Sequence, residues 1–167
     1  MSSVRPVELP ANSPLFGYRR DGGYADCYVT RVSGTVSQAM FVEAFYTSAL
    51  FKIERALLAF LARRPATDTD AAALAAGTVS DFSAWTVETQ SSEQLLLRDF
   101  MGKTRSWLMV SANNGDTDLY FGSAVVARQR SGSKKHGLGL IFHALLGFHR
   151  LYARLLLGAA ASRIRCA

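Results

Sequence analysis

Cysteine, histidine and proline are scarce in this chain of 167 residues, which contains two, three and four of them. The cysteines, Cys27 and Cys166, are too few for a disulfide framework. Without a secretory signal, such a pair is typical of free thiols in a reducing compartment. The first fourteen residues contain no apolar stretch of signal-peptide length. We therefore expect a cytoplasmic protein.

Motifs for metal, nucleotide or covalent chemistry are also missing. The sequence contains no HExxH, CxxC, GxSxG or phosphate-loop pattern. His143 and His149 lie on one predicted helix but about 120° apart around its axis, so they cannot chelate one metal together. We therefore predict neither a metal nor another cofactor.

Acidic residues are fewer than basic ones, and the formal net charge is +6. A basic surface can contact nucleic acid or anionic membranes. Because no nucleic-acid-reading motif is present, we predict no nucleic-acid partner. The basic loop 128–136 and the last helix leave two interpretations open, a solvated surface and contact with a membrane surface. The sequence does not indicate an oligomeric state.

The hydrophobic pattern predicts a single α+β domain over residues 24–167, preceded by an irregular lead over residues 1–23 that is rich in proline and glycine. A first strand, 24–32, precedes helices that run to residue 64 with a break at Thr47 and Ser48, and a short helix at 67–76 follows. Four more strands are predicted at 81–89, 94–99, 103–112 and 117–128. Asn114 and Gly115 indicate a hairpin between the last two.

The last thirty residues predict a long amphipathic helix from residue 138 to about 164. At about 100° per residue, His149 lies at the centre of its apolar face, and Arg150 and Arg154 lie on the opposite side. The other members of the apolar face are Leu138, Phe142, Leu145, Tyr152 and Leu156. The two arginines disfavour a membrane span. We predict a curved antiparallel sheet wrapped around this helix, because the apolar face of a sheet must be covered.

This order of elements resembles the START-like, or helix-grip, superfamily, which includes polyketide cyclases and lipid-transfer domains. Four segments look like an uncharacterised bacterial branch of it: FYTSALFKIERALL, LLLRDFMGKTRSWLMV, LYFGSAVV and FHRLYARLLLGAA. The resemblance covers residues 24–160. It implies a cavity between the sheet and the last helix that takes a small hydrophobic or amphipathic molecule. It supplies no catalytic motif.

Five residues form the predicted ligand-binding set: His149, Tyr152, Glu54, Arg105 and Trp107. His149 would supply a titratable donor or acceptor, and Tyr152 a hydroxyl. Glu54 falls inside an apolar helical arc, where a carboxylate must be paired or have its pKa raised. Arg105 would anchor an anionic group and Trp107 would form a wall.

Structural alternatives stand beside each of these roles. His149 fits a buried neutral histidine that donates to a backbone carbonyl or to a nearby side chain. Glu54 fits a pair with an arginine such as Arg105, or a carboxylate that reaches the edge of the apolar arc. Arg105 fits a solvated position on the outward face, and the aromatic residues fit plain packing against the helix. At the level of function, one alternative is a cyclase- or isomerase-type enzyme with His149 or Glu54 as its base. The other is a ligand-free interaction or membrane-surface module.

Overall fold

The computed structural model of this protein describes residues 3–61, 65–126 and 139–166, with the side chains of residues 54, 57–61 and 139–148 outside the description. The helices in these ranges are α1 (Leu15–Arg20), α2 (Gln38–Tyr46), α3 (Ala49–Leu61), α4 (Asp68–Ala75) and α5 (Gly139–Arg165). The strands are β1 (Arg5–Pro6), β2 (Tyr24–Ser33), β3 (Asp81–Phe82), β4 (Trp85–Gln90), β5 (Gln94–Asp99), β6 (Thr104–Asn113) and β7 (Asp116–Val125).

The described strands form one antiparallel sheet in the order β1-β2-β7-β6-β5-β4-β3. Strands β3 to β7 are joined in chain order by hairpins. The last of them, β7, pairs along its whole length with β2, which comes much earlier in the chain. The sheet does not close, because β1 and β3 remain at its edges. The α+β class and the antiparallel sheet are confirmed, as is the packing of the last helix on the sheet.

The face of the sheet that carries α2 and α5 is called the inner face. Strand alternation directs Leu108 and Val110 of β6 into its core, where they meet Phe121 of β7 and Leu157 of α5. Helix α2 contributes Phe45, whose ring centroid lies 4.8 Å from that of Phe121. This core holds α5 across the middle of the sheet.

The opposite, outer face is covered by the first residues of the chain. Leu15 of α1 is fully buried there against Trp107 and Leu96, and Leu9 joins the same core. The prediction of an irregular lead is therefore wrong for Leu15–Arg20. Pro14 occupies the N-cap of α1, with a φ of −63° that suits the start of a helix, so this proline does not break the structure.

Two turns determine where strands begin and end between β3 and β7. The predicted strand 81–89 is two strands, β3 and β4, because Ser83 turns the chain at a φ of 54°. A positive φ is uncommon for serine, so the sequence carried little signal for this turn. The predicted hairpin at Asn114 and Gly115 is confirmed, with φ values of 51° and 87°.

The predicted helix break and the free thiols are also present. Helix α2 ends at Tyr46 and α3 begins at Ala49. Cys27 and Cys166 form no disulfide, and burial together with the charge of Asp26 raises the pKa of the Cys27 thiol to about 12. None of the described helices, α5 included, combines the length and the apolar character that crossing a bilayer requires.

Candidate functional site

A pocket of about 230 Å³ lies between the inner face and α5. Its walls are apolar and largely aromatic, formed by Phe45, Phe51, Trp85, Phe121, Tyr152, Ala153 and Leu156. Its polar lining comes from the sheet residues Thr104, Ser106 and Ser123 and from His149 of α5. Most of the lining is therefore apolar, with the polar groups few and placed on two facing elements.

Strand register places the polar groups in a row across the sheet. Asp26 of β2 pairs with Ser123 of β7, and Ser123 pairs with Ser106 of β6. All three residues lie on the inner face, because they alternate with residues of the outer core. We call them the polar row. His149 of α5 lies above the middle of this row.

A hydrogen bond joins His149 to Ser123 of the polar row, and Ser123 in turn bonds Asp26. Ser123 Oγ donates to Asp26 Oδ1 at 2.7 Å and lies 2.6 Å from His149 Nε2. The hydroxyl has one proton, and a carboxylate only accepts. Consequently His149 Nε2 carries a proton and donates it to Ser123 Oγ. In the neutral imidazole, Nδ1 then has the basic lone pair.

The charge on Asp26 fixes this arrangement. Burial on its own disfavours the carboxylate, but the nearby His149 and the hydrogen bonds from Ser123 and Tyr24 outweigh it, and the pKa of Asp26 lies below its ordinary value of 3.8. Tyr24 Oη donates to Asp26 Oδ2 at 3.1 Å, on the side away from Ser123. His149 Nε2 lies 3.7 Å from the same Oδ2 atom. An ionised Asp26 thus orients Ser123 and favours a proton on Nε2.

Two further polar groups lie close to the residues that line the pocket. Tyr46 Oη lies 3.4 Å from Ser106 Oγ, which links α2 to the polar row. The Nε1–H of Trp85 is buried and has no hydrogen-bond partner among the described residues. A buried donor without a partner costs about 1–3 kcal/mol.

Of the five predicted site residues, two lie in the pocket on the inner face and a third lies on the outer face. His149 and Tyr152 line the pocket on α5. Trp107 does not, because its side chain lies in the outer core and its Nε1–H donates to Gln94 Oε1 at 2.9 Å. The predicted role of Trp107 as a wall is therefore corrected. The aromatic walls on the strands are Trp85 and Phe121.

Arg105 borders the pocket, but its guanidinium is engaged elsewhere. On the outer face, Arg105 Nε donates to Tyr18 Oη at 2.9 Å and lies 2.7 Å from Glu88 Oε2. Its Nη1 donates to the carbonyl oxygens of Gly102 and Thr104. This arginine fastens α1 to the sheet. The side chain of Glu54, the fifth predicted residue, lies outside the described part of the structure.

Sequence reasoning missed the polar row. Asp26 lies in the middle of a strand, where aspartate is depleted, so an aspartate among aromatic strand residues is a signal that could have been used. Ser106 and Ser123 gave no such signal, because serine is common on strand surfaces. Only the register brings these residues to one place.

The described residues contain no group of three or more His, Cys, Asp or Glu that could hold a metal ion. No family model, curated protein or solved structure matches this chain.

Proposed function

We propose that this protein binds a small hydrophobic or amphipathic molecule in the pocket between the inner face and α5. The observation that carries the proposal is the combination of aromatic walls with few, converging polar groups, which is the usual make-up of a small-molecule site.

The size of the pocket limits the ligand. A dry cavity of about 150 Å³ accepts benzene, and pockets for drug-sized ligands start at about 300 Å³. At about 230 Å³, the pocket suits a substituted aromatic group of one or two fused rings or a short-chain amphiphile. Its apolar part would lie against Phe45 and Phe121, and a polar group would meet His149 and Ser123.

A START-like, helix-grip relationship is part of the same proposal. It is supported by an antiparallel sheet with a long C-terminal helix packed on one face and by the pocket between them. Proteins of that layout hold their ligands between these two elements. The four sequence segments quoted above are consistent with it.

A second candidate function is proton transfer with His149 as the base. The observation that favours it is the Asp26–Ser123–His149 chain of hydrogen bonds. Serine lies between the acid and the base, so its proton is directed to Asp26 and it is not activated as a nucleophile. His149 Nδ1 would take a proton from the ligand, and Asp26 would stabilise the resulting imidazolium.

The first experiment is native mass spectrometry of the purified protein beside a denatured, solvent-extracted control. A co-purifying small molecule is expected, and 2-naphthol serves as a probe for the emptied pocket. Substitution of Ala153 by Met should weaken 2-naphthol binding at least about tenfold, because the added side chain occupies the space beside Leu156. Leu155→Met, at a position 52% exposed on α5, is the matched control and should bind as the wild type does.

Equal binding by wild type and Ala153→Met would overturn the proposal, and so would an apo mass together with no 2-naphthol binding. For the second candidate, the co-purifying molecule is incubated with wild type and His149→Gln. Turnover by the wild type that the variant loses, with unchanged thermal unfolding, would establish His149 as the base.

A further inference from the structure

A second concave site lies on the other side of Asp26 from the pocket. It is a groove of about 460 Å³. Its walls are residues 6–9, residues 23–28 at the start of β2, and arginine side chains. The arginines are Arg150 and Arg154 of α5 and Arg19 of α1. We call this site the arginine groove. The arginine groove and the pocket are separate sites.

Two tyrosines of β2 hold the arginines of α5 in place. Arg150 Nε donates to Tyr24 Oη at 3.2 Å, and the guanidinium lies 6.0 Å from the centroid of the Tyr24 ring. The Arg154 guanidinium lies 5.6 Å from the centroid of the Tyr28 ring. Cation–π contacts of this kind orient a guanidinium without neutralising it. Both positive charges are thus arranged in advance without a direct ion pair.

The acidic residues of the groove have other direct partners, although the Asp26 carboxylate acts on Arg150 through space. Glu8 pairs with Arg19 at 3.1 Å, and Asp26 accepts hydrogen bonds from Tyr24 and Ser123. Among the described residues, neither Arg150 nor Arg154 forms a salt bridge. Two like charges one helical turn apart repel each other. An anion bound between them would attract both guanidinium groups and offset their mutual repulsion.

We propose that the arginine groove is a binding site for a phosphate monoester group, held by Arg150 and Arg154. A phosphate monoester carries nearly two negative charges at neutral pH and three acceptor oxygens, which match two guanidinium groups. Guanidinium presents paired N–H donors that fit phosphate oxygens in a bidentate manner. With its Nε engaged by Tyr24, Arg150 keeps its two terminal nitrogens for the ligand. A carboxylate, with one charge, would neutralise only one of the two arginines.

The test uses two sources of the same chemical group. Glycerol 3-phosphate, titrated by calorimetry, represents a soluble ligand. Phosphatidylcholine vesicles that contain phosphatidic acid, in a sedimentation assay, represent a lipid headgroup. Wild type should bind at least one of them. Arg150→Gln and Arg154→Gln should each weaken that binding by about tenfold to a hundredfold, the effect of losing a charge-assisted hydrogen bond.

The matched control is Arg163→Gln, which removes the same charge from an exposed position on the same helix and should bind as the wild type does. An equal loss in Arg163→Gln would overturn the proposal, because it would show attraction by net charge alone. Absence of binding to both probes, or unchanged binding in both groove variants, would do the same. Thermal unfolding checks the fold of each variant. If Arg150→Gln unfolds through loss of the Tyr24 bond, Arg154→Gln decides, because its contact is with a ring face.

Discussion

At Gly122 of β7, three groups converge on the space that a side chain would occupy. A Cβ atom there would lie 2.8 Å from Leu15 Cδ1, 2.9 Å from the Asp26 carbonyl oxygen and 2.9 Å from Trp107 Cε3. The carbonyl belongs to the neighbouring strand β2 and cannot shift without disturbing its pairing with β7. Glycine at this position lets the outer core close onto the sheet.

Substitution of Gly122 by Ala should therefore lower the free energy of unfolding by about 1–3 kcal/mol, the usual cost of overpacking. Urea denaturation at neutral pH measures it. Gly17→Ala is the control, because a Cβ at Gly17 of α1 meets nothing within 4 Å and alanine favours helix. A Gly122→Ala protein as stable as Gly17→Ala would contradict the close packing.

Asp26 should make stability depend on pH in a defined direction. Its pKa in the folded protein is below the ordinary 3.8, although burial opposes ionisation, because His149 lies close to the carboxylate and Ser123 and Tyr24 donate hydrogen bonds to it. The stabilisation is therefore present above the unfolded pKa and is lost as the pH falls through the folded pKa. Asp26→Asn should be less stable than wild type at pH 7 by about 1–3 kcal/mol, and the difference should shrink below about pH 4.

Urea unfolding of wild type and Asp26→Asn at several pH values measures this difference. Glu93→Gln removes a negative charge from an exposed position and controls for net charge. A difference between wild type and Asp26→Asn that stays constant from pH 7 to pH 3 would show that shape, not charge, is what Asp26 contributes.

At the scale of elements, the junction of α3 and α4 is held by reciprocal caps and a buried cation. Thr67 Oγ1 accepts from the backbone N–H of Asp70, and Asp70 Oδ2 accepts from the backbone N–H of Thr67. Arg55 of α3 is buried, with its Nη2 2.6 Å from Asp68 Oδ1. Its Nη1 donates to the Thr67 carbonyl oxygen at 3.1 Å. The start of α4 thus anchors α3.

Removing the N-cap of α4 with Thr67→Ala should cost about 1 kcal/mol, the typical worth of a threonine cap. Hydrogen exchange should show faster exchange of the Asp70 and Ala71 amides, which lie in the first turn. Thr35→Ala, at an exposed position outside any helix, is the matched control. Equal stability and equal exchange in the two variants would mean that the cap contributes nothing.

The sequence predicts which side chains face the core when an element is covered on one face only. It does not predict this when both faces are covered. Helix α5 shows an apolar side and a charged side, so the sequence placed His149 and Tyr152 correctly toward the sheet. Strand β6 is buried on both faces from Arg105 to Val110, so its period of two cannot tell which face meets α5. Trp107 was assigned to the inner face for this reason.

For the molecule as a whole, the sheet is the middle of three layers. Helices α2 and α5 cover the inner face, and residues 7–18 cover the outer one. A proline-rich lead gives no periodic signal, so sequence patterns could not show that it completes a core. The outer core is small, and its largest fully buried members are Trp107 and Leu15.

Leu15→Ala should lower the free energy of unfolding by about 2–5 kcal/mol, because it leaves a cavity against Trp107. The neighbouring Phe16 is 46% exposed, so Phe16→Ala should change stability by less than about 0.5 kcal/mol. Thermal and urea unfolding compare the two variants. Similar small effects for both would mean that the lead is an appendage and not part of the core.

The pairing of β2 with β7 joins residues that are far apart in the order of synthesis. Asp26 and Ser123 are 97 positions apart, so at about 5–20 residues per second the ribosome needs about 5–20 s to supply the partner. During this interval one edge of β2 is open to strands of other nascent chains. Charged residues discourage such pairing. Asp26 and Arg31, which later bond Ser123 and Asp118, thus protect the strand before its partner has been made.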